Sequence, residues 1–240
     1  MESPVLLNTT STIEIIYQDF SLVAVNKPHG LLVHRSPIAA DAETFAVQLL
    51  RDQLDRKVFP VHRLDRKTAG VLLFALDEAM NSAMQKQFME GTVKKKYHAI
   101  VRGFTEDSGE IDYALKKEDG TVQEAFTSYI TLNRAEAPFR TGKHASSRYS
   151  LVELNPATGR MHQLRKHMAH IFHPIIGDRP YGCNKQNKYF KEELQMTTML
   201  LHAVELEFVH PLSRELVLIK ADYQSEFRRM MELLRFFAED

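Results

Sequence analysis

The stretch VHRLDRKTAGVLLFAL, residues 61–76, decides the fold because a polar loop leads directly into a continuous apolar run. The run predicts a buried strand over Val71–Leu76, which would hold the preceding loop firmly. That loop carries His62, several cations and a single acid, Asp65. A carboxylate among cations stays ionised at neutral pH and can act as a nucleophile or base. The competing interpretation is a turn aspartate that makes only local hydrogen bonds.

Outward from this strand, β-rich runs predict further strands over Ile13–Gln18, Leu22–Asn26, Tyr97–Arg102, Phe126–Leu132, Tyr149–Leu154, Leu200–Val209 and Leu216–Ile219. Helices are predicted over Glu43–Leu54 with Asp41 as its cap, over Glu78–Glu90 between Asp77 and Gly91, over His162–Ile171 and over Ser225–Phe237. Strands and helices do not alternate regularly. The pattern therefore predicts an α+β fold with a mixed, largely antiparallel sheet.

The composition is that of an ordinary globular protein: 240 residues, 44% hydrophobic and 26% charged. This excludes a wholly disordered or collagen-like chain. No apolar run approaches the roughly 20 residues that span a bilayer, and no signal peptide is visible. The only cysteine, Cys183, cannot form an internal disulfide. These features predict a cytoplasmic protein without a membrane partner.

The charge is zero overall but unevenly distributed, with 31 basic and 31 acidic residues in the whole chain. Residues 139–188 hold 9 basic and 2 acidic residues, a net of +7, whereas the flanking segments carry −3 and −4. Overall neutrality argues against a nucleic-acid partner, but the basic block reverses that argument. An ordinary solvated face is the alternative explanation.

The basic block contains TGRMHQLRKHMAHIFHP, residues 158–174, with four histidines at spacings of 5, 3 and 3. Metal ligation by these histidines with Cys183 is disfavoured, because their side chains do not share one helix face and no HExxH-like pair is present. Packing by neutral imidazoles is one alternative. The other is a phosphate-contacting surface built on Arg160, Arg165 and Lys166, in which Arg165 could pair with a distant carboxylate.

The segment KKKYHAIVRG, residues 94–103, predicts a strand with Tyr97 on its more apolar face and lysines at its entrance. Tyr97 could be a plain core residue. It could equally stack on a nucleobase, as aromatic side chains do in RNA recognition.

Taken together, HRLD…TAG, KKYHAIVRG and TGRMHQLRKHMAHIFHPIIGDRPYG occur in this order, with LLHA at residues 200–203 after them. This ordered set resembles the RluA-type pseudouridine synthases, and so does the lead-in IIYQDFSLVAVNKPHGLLVH, residues 15–34. The likeness covers residues 12–223. It implies the catalytic fold of that family, a mixed sheet flanked by helices with a central cleft, as a single domain over residues 1–240 without an S4 domain.

The resemblance also implies a reaction without cofactor or metal. A uridine in RNA loses its N1–C1′ bond, the uracil turns, and it rejoins the sugar through C5. Asp65 matches the catalytic aspartate, and Arg165 matches the arginine that ion-pairs with it. Tyr97 matches the tyrosine that stacks on the base and helps remove the C5 proton. Ala69 departs from the serine that is usual in the family, and we expect little effect from this change.

Further residues are implied in RNA binding. His62 and Arg63 match side chains that fill or stabilise the vacated base stack. The residues that contribute to the RNA contact or to cleft structure are Arg160, His162 and Gln163. Leu201 matches the residue that packs beneath the uracil.

Within the family, the likeness is greatest to members that act on tRNA. The expected substrate is therefore tRNA, at the T-stem uridine numbered 65, and the expected enzyme is a monomer with no obligatory protein partner. Three alternatives stay open: a synthase for ribosomal RNA, a non-catalytic RNA-binding module, and a metal-dependent hydrolase built on the histidines.

Overall fold

The computed structural model describes residues 12–34 and 44–236. Its strands are β1 (Ile15–Gln18), β2 (Leu22–Lys27), β3 (Phe59–Pro60), β4 (Ala69–Ala75), β5 (Lys94–Arg102), β6 (Ser108–Asp112), β7 (Leu115–Lys116), β8 (Val122–Gln123), β9 (Phe126–Ala137), β10 (Ser147–Pro156), β11 (Leu201–Val209) and β12 (Leu216–Lys220). Its helices are α1 (Ala46–Leu54), α2 (Glu78–Glu90), α3 (Gln163–His170), α4 (Asn184–Glu192) and α5 (Ser225–Leu233).

The main sheet runs in the order β1-β2-β4-β11-β5-β10-β9-β6, with β3 beside β4 and β12 beside β11. Strands β4 and β11 are parallel, whereas the other neighbours in this sheet are antiparallel. Strands β7 and β8 form a separate two-stranded sheet. The expected α+β class with a mixed, largely antiparallel sheet is confirmed.

Strand β4 is buried along its whole length, as its apolar run predicts. Successive side chains point to opposite faces, so Leu73 packs in the cluster that contains Met84 of α2, while Phe74 packs in the cluster that contains Leu50 of α1. Burying each of these side chains is worth about 1.5–3 kcal/mol. The loop before β4 is therefore anchored to a strand that is covered on both faces.

Strand β10 is covered in the same way in the second half of the chain. Tyr149 packs in a cluster with Phe190 of α4 and Met230 of α5. Val152 lies in the cluster of the opposite face, which contains Met168 of α3. The helix that carries Arg165 is thus packed against the sheet next to β5 and β10.

Gly70 explains how β4 and β11 approach closely enough to pair. Its φ of +106° is positive, a conformation that favours glycine. A Cβ atom at this position would lie 2.1 Å from the carbonyl oxygen of Ala203. The resulting pairing of Ala69 with His202 brings Leu201, at the start of β11, beside the loop that precedes β4.

Most predicted elements are present with shifted ends. Helix α2 has the predicted bounds; the Asp77 side chain accepts a hydrogen bond from the Met80 amide at 2.7 Å, and Gly91 ends the helix at φ +72°. Helix α5 ends at Leu233, earlier than predicted. The predicted cap of the first helix, Asp41, lies outside the described residues.

The sequence interpretation missed β3, β6, β7, β8 and α4. Strands of two residues give no alternation to detect, and the α4 sequence NKQNKYFKE offers only two adjacent apolar residues instead of a periodic stripe.

No helix in residues 12–34 and 44–236 is long and apolar enough to cross a membrane.

Candidate active site

The loop between β3 and β4 holds Asp65 in a fixed backbone turn. The Thr68 amide donates to the Asp65 carbonyl at 3.0 Å. The Gly30 amide donates to the Arg66 carbonyl at 2.8 Å, and the Arg66 Nε donates to the Gly30 carbonyl at 3.1 Å. The turn that follows β2 therefore braces the Asp65 loop from the side.

Lys27 adds a buried brace that sequence analysis missed. Its Nζ donates to the carbonyls of Pro28 at 3.0 Å, Leu31 at 2.8 Å and Arg66 at 3.3 Å. Burial lowers the pKa of Lys27 to about 7, and the charge of Asp65 opposes that shift. The side chain ties the end of β2 to the residue that follows Asp65.

Arg165 meets Asp65 although the two residues are 100 positions apart. Its Nη1 donates to Asp65 Oδ2 at 2.9 Å. Its Nε and Nη2 donate to the two carboxylate oxygens of Asp178 at 2.9 and 2.8 Å. The bidentate contact with Asp178 therefore orients the guanidinium so that its Nη1 points at Asp65.

Burial differs sharply among these three groups. The Asp178 side chain is 1% exposed and that of Arg165 is 7% exposed, whereas the side chain of Asp65 is 24% exposed. Burial alone would lower the pKa of Arg165, but the hydrogen bonds and charges of Asp178 and Asp65 outweigh it and raise that pKa. Arg165 is a fixed cation, and Asp65 is the member of the trio that a substrate can reach.

Asp178 is a site residue that sequence analysis missed. Its own carbonyl accepts from Asn187 Nδ2 of α4 at 2.7 Å, and Asn187 Oδ1 accepts from the Gly177 amide at 2.8 Å. An available signal was its position: Asp178 and Glu153 are the only acids in the basic block, residues 139–188. One of only two acids among nine cations is a candidate partner for one of them.

Tyr97 lies on β5 beside the Asp65 loop and lines the same cavity. Burial raises its pKa, and the charge of Asp65 raises it further. The phenol is therefore protonated at neutral pH. It can stack on a base and donate a hydrogen bond, while accepting the C5 proton would require the disfavoured phenolate.

His162 lies next to the Asp65 carboxylate, which Arg165 also contacts. Its Nε2 lies 3.8 Å from Asp65 Oδ2, and its Nδ1 is 3.1 Å from the Tyr181 hydroxyl. Burial lowers the pKa of His162, partly offset by the charge of Asp65. The Tyr181 ring also lies 5.2 Å from the Arg165 guanidinium carbon. His162 and Tyr181 thus form one wall around the ion pair.

Asp65, Arg165, Tyr97 and His162 line a cavity of about 240 Å³. It brings together all but one of the residues predicted from the sequence: Arg63, Asp65, Tyr97, Arg160, His162, Gln163, Arg165 and Leu201. Lys95 and Thr68 line it as well. Among the described residues of its wall, Asp65 is the only acid and four residues are arginine or lysine, so the cavity attracts anions.

His62 and Gln163 support the site from within the protein. His62 does not line the cavity; its Nε2 accepts from the Leu73 amide at 3.1 Å and its ring stacks on Phe88 with the centroids 4.8 Å apart. Gln163 is buried, and its Oε1 accepts from Thr158 Oγ1 at 2.7 Å and from the Arg160 amide at 3.0 Å. Gln163 therefore shapes the loop that carries Arg160.

The other three histidines of residues 158–174 make contacts within the protein. His167 is buried between Thr127 Oγ1 and the Tyr113 carbonyl, each at 3.0 Å, and His170 stacks on Tyr113. His173 Nδ1 lies 2.8 Å from the Arg102 carbonyl. No group of three or more His, Cys, Asp or Glu within the described residues is arranged to hold a metal.

Comparison with known proteins assigns this fold and cavity to an RNA-modifying class, the pseudouridine synthases. The solved structure titled Human RNA Pseudouridylate Synthase Domain Containing 4 superposes with a TM-score of 0.71 at 27% identity, covering 92% of this chain and 93% of that one. Residues 21–170 match the family described as RNA pseudouridylate synthase. The chain belongs to this family and is an enzyme that isomerises uridine to pseudouridine in RNA.

Two curated relatives resemble the chain over almost its whole length. The tRNA pseudouridine synthase C of Vibrio vulnificus (strain CMCP6) is 47% identical over 231 residues, which is 92% of this chain and 94% of the relative. The tRNA pseudouridine synthase C of Haemophilus ducreyi is 48% identical over 219 residues, 87% of this chain and 90% of the relative. The family resemblance read from the sequence, with its likeness to tRNA-modifying members, is confirmed.

Proposed function

We propose that this enzyme converts the T-stem uridine 65 of tRNA to pseudouridine, working in the cytoplasm as a monomeric single catalytic domain. The observation that carries the proposal is the Asp65–Arg165–Asp178 trio, which presents one accessible carboxylate inside a cationic cavity. The names of the relatives support tRNA as the substrate. A ribosomal RNA substrate is the alternative that the experiment below distinguishes.

The target uridine must leave its stem before it can reach Asp65. Extruding a paired base costs a few kcal/mol, which contacts with the flanking RNA have to offset. Arg63 lines the cavity next to Asp65 and is suited to occupy the vacated position, while His62, fixed against Phe88 and the Leu73 amide, holds that end of the loop. Arg160 lies on the cavity wall; its Nε donates to the Glu124 carbonyl at 3.0 Å, and the rest of its guanidinium is suited to contact phosphates.

In the cavity, the uracil packs between Tyr97 and Leu201. The N1–C1′ bond breaks, the base turns and a C5–C1′ bond forms. The proton lost from C5 goes to solvent and N1 takes one proton from solvent, so the isomerisation has no net proton change. Asp65 can serve by attacking C1′, by adding to C6 of the base or by removing the 2′ proton. All three routes need an ionised carboxylate, which Arg165 stabilises by direct hydrogen bonding.

The test uses tRNA and ribosomal RNA from a strain that lacks this gene, with carbodiimide-based mapping of pseudouridine after the protein is added back. We expect one modification in the T stem of tRNA to be missing and to return with wild-type protein but not with Asp65→Asn. Asp52→Asn, which alters an exposed carboxylate on α1, is the matched control and should restore it.

The outcomes separate the alternatives. A site that is missing and restored only in ribosomal RNA would replace tRNA as the substrate. Restoration by Asp65→Asn would overturn the catalytic assignment.

A further inference from the structure

A second basic concavity lies outside the active-site cavity, at the end of the sheet where β5 stops and β10 begins. It has a volume of about 580 Å³. We call it the basic groove and define it by the five cationic or imidazole side chains in its wall: Arg102, Lys143, His144, Arg148 and Lys185. Glu136 is the acidic residue among its described lining residues. None of these side chains lines the cavity that contains Asp65.

The cations of the groove are largely unpaired. Arg148 Nε lies 3.1 Å from Glu136 Oε2, and its guanidinium carbon lies 5.0 Å from the ring centre of Phe104. Arg102, Lys143 and Lys185 are exposed, and none has a carboxylate within 4.0 Å in the described part of the chain. Three cations without a protein partner leave the groove with a net positive charge that can attract an external anion.

The groove is held in shape by buried hydrogen bonds below it. The Tyr149 hydroxyl donates to Gln186 Oε1 at 2.6 Å, and Gln186 Nε2 donates to Thr141 Oγ1 at 2.5 Å. Thr141 Oγ1 is also 2.7 Å from Ser147 Oγ, which donates to the Phe139 carbonyl at 2.7 Å. This chain of contacts fastens the segment 139–147 to the first turn of α4, which keeps Lys143 and Lys185 in the wall of one groove.

The basic groove is separated from the active-site cavity along strand β5. Arg102 and Tyr97 are five residues apart on β5, so their side chains leave opposite faces of the sheet about 16 Å apart along the strand. An RNA that fills both sites has to reach around the end of β5, because Tyr97 and Arg102 lie on opposite faces of the sheet.

The lining chemistry favours nucleic acid over protein as the occupant. Protein interfaces are depleted in lysine, whereas protein–nucleic acid interfaces are strongly positive and polar. The groove offers lysine, arginine, serine and histidine donors with a single aromatic ring, Phe104, at the Arg148 side chain. These groups match a phosphate backbone and have no pattern for reading base edges.

We propose that the basic groove is a second RNA-backbone site, which binds phosphates of the substrate remote from the uridine that is modified. The inference rests on the proposed function, since it takes tRNA as the RNA. It assigns different tasks to two parts of the basic block: residues in the cavity hold the reacting nucleotide, and residues in the groove hold the body of the molecule.

The test compares Lys143→Ala/Lys185→Ala with wild type on two RNAs, the full-length tRNA and its isolated T-arm stem-loop. We expect the affinity for full-length tRNA to fall about 10- to 30-fold at 0.15 M salt, and the slope of log affinity against log salt to decrease by about 2, because two phosphate contacts are lost. Turnover of bound tRNA and affinity for the stem-loop should stay within about twofold of wild type.

The control is Lys86→Ala/Lys220→Ala, which removes the same charge from side chains that are 71% and 68% exposed and lie outside the groove. It should leave both affinities unchanged. Equal weakening of tRNA and stem-loop by the groove variant, or no weakening of either, would overturn the proposal.

Cys183 supplies a readout that needs no variant, because it is the only cysteine of the chain and lines the groove. We expect saturating tRNA to slow its alkylation by N-ethylmaleimide at least about fivefold and the stem-loop to slow it little, because bound RNA would cover the thiol. Equal alkylation rates with and without tRNA would count against the groove. If wild-type enzyme modifies ribosomal RNA instead, the substrate assignment fails, and the same comparison is made with that RNA and its isolated target stem.

Discussion

The active-site cavity and the basic groove are both cationic, but they hold their charges in opposite ways. In the cavity, Arg165 is 7% exposed and engages two carboxylates. In the groove, Lys143 and Lys185 are exposed and unpaired among the described residues. A buried, paired cation fixes the geometry of its partner, whereas an exposed one attracts an anion without orienting it. The cavity is therefore suited to catalysis and the groove to binding.

Arg165→Met tests whether the buried cation of the cavity serves catalysis and not RNA binding. Without the guanidinium, Asp65 loses its hydrogen-bond donor and Asp178 is left as an unpaired buried carboxylate. We expect turnover of bound tRNA to fall at least about 1,000-fold and tRNA affinity to change less than threefold, measured by single-turnover assays and filter binding. Loss of binding with preserved turnover per bound RNA would contradict the assignment of Arg165 to catalysis.

Folding has to be checked separately for this variant, because removing one partner of a buried pair costs about 3–5 kcal/mol of unfolding free energy. Arg165→Lys keeps a positive charge but cannot form the two-bond fork on Asp178. It should fold closer to wild type and still lose most of the turnover.

Asp178→Asn sharpens the comparison, because it disturbs the aim of Arg165 without touching Asp65. We expect kcat to fall about 100-fold, the effect typical of a misplaced reacting group, with little change in KM for tRNA. Asp107→Asn is the control, since it alters a carboxylate that is 92% exposed and paired with Arg134 on the surface. An Asp178→Asn effect on KM alone would show that this residue serves RNA binding.

The sequence predicted this site unevenly, and the reasons are physical. The Asp65 loop was identifiable because an apolar run must be a buried strand, and a loop at its end is held in place. The pairing with Arg165 came from the family resemblance, since no periodicity links residues 100 positions apart. Asp178 was not predicted, because a bidentate contact depends on how α3 meets the segment before α4, and single residues carry no record of that packing.

The basic groove was only partly foreseen. The count of charges over residues 139–188 located a net of +7 but could not divide it between two concavities. That division depends on Gln186, which ties the segment 139–147 to α4, a helix that the sequence pattern did not reveal. Composition can locate a charge excess along a chain, while the fold decides which cations share a surface.

The smallest expected effect concerns the pH dependence of stability and a single buried histidine, His202. His202 is fully buried next to Leu201, with its ring against Tyr223 and its backbone paired with His98. Burial lowers the pKa of His202 to about 4 from its usual 6.5. Because the folded-state value is the lower one, the unfolded chain binds the proton more tightly, and stability falls as pH drops from about 6.5 to 4.

His202→Phe removes this titration. We expect the wild-type unfolding free energy to lose about 3 kcal/mol more than the variant between pH 7 and pH 4, as measured by urea denaturation at each pH. Parallel curves for the two proteins would show that His202 is not kept neutral by the fold.

The most direct test of the account is the single-turnover rate of Asp65→Asn, with enzyme in excess over tRNA and binding measured on the same samples. The account predicts a rate at least about 10,000-fold below wild type with tRNA affinity within about threefold, because the variant keeps the cavity and the groove but lacks the ionised carboxylate. A rate within about tenfold of wild type on equally bound tRNA would contradict the claim that Asp65 performs the chemistry.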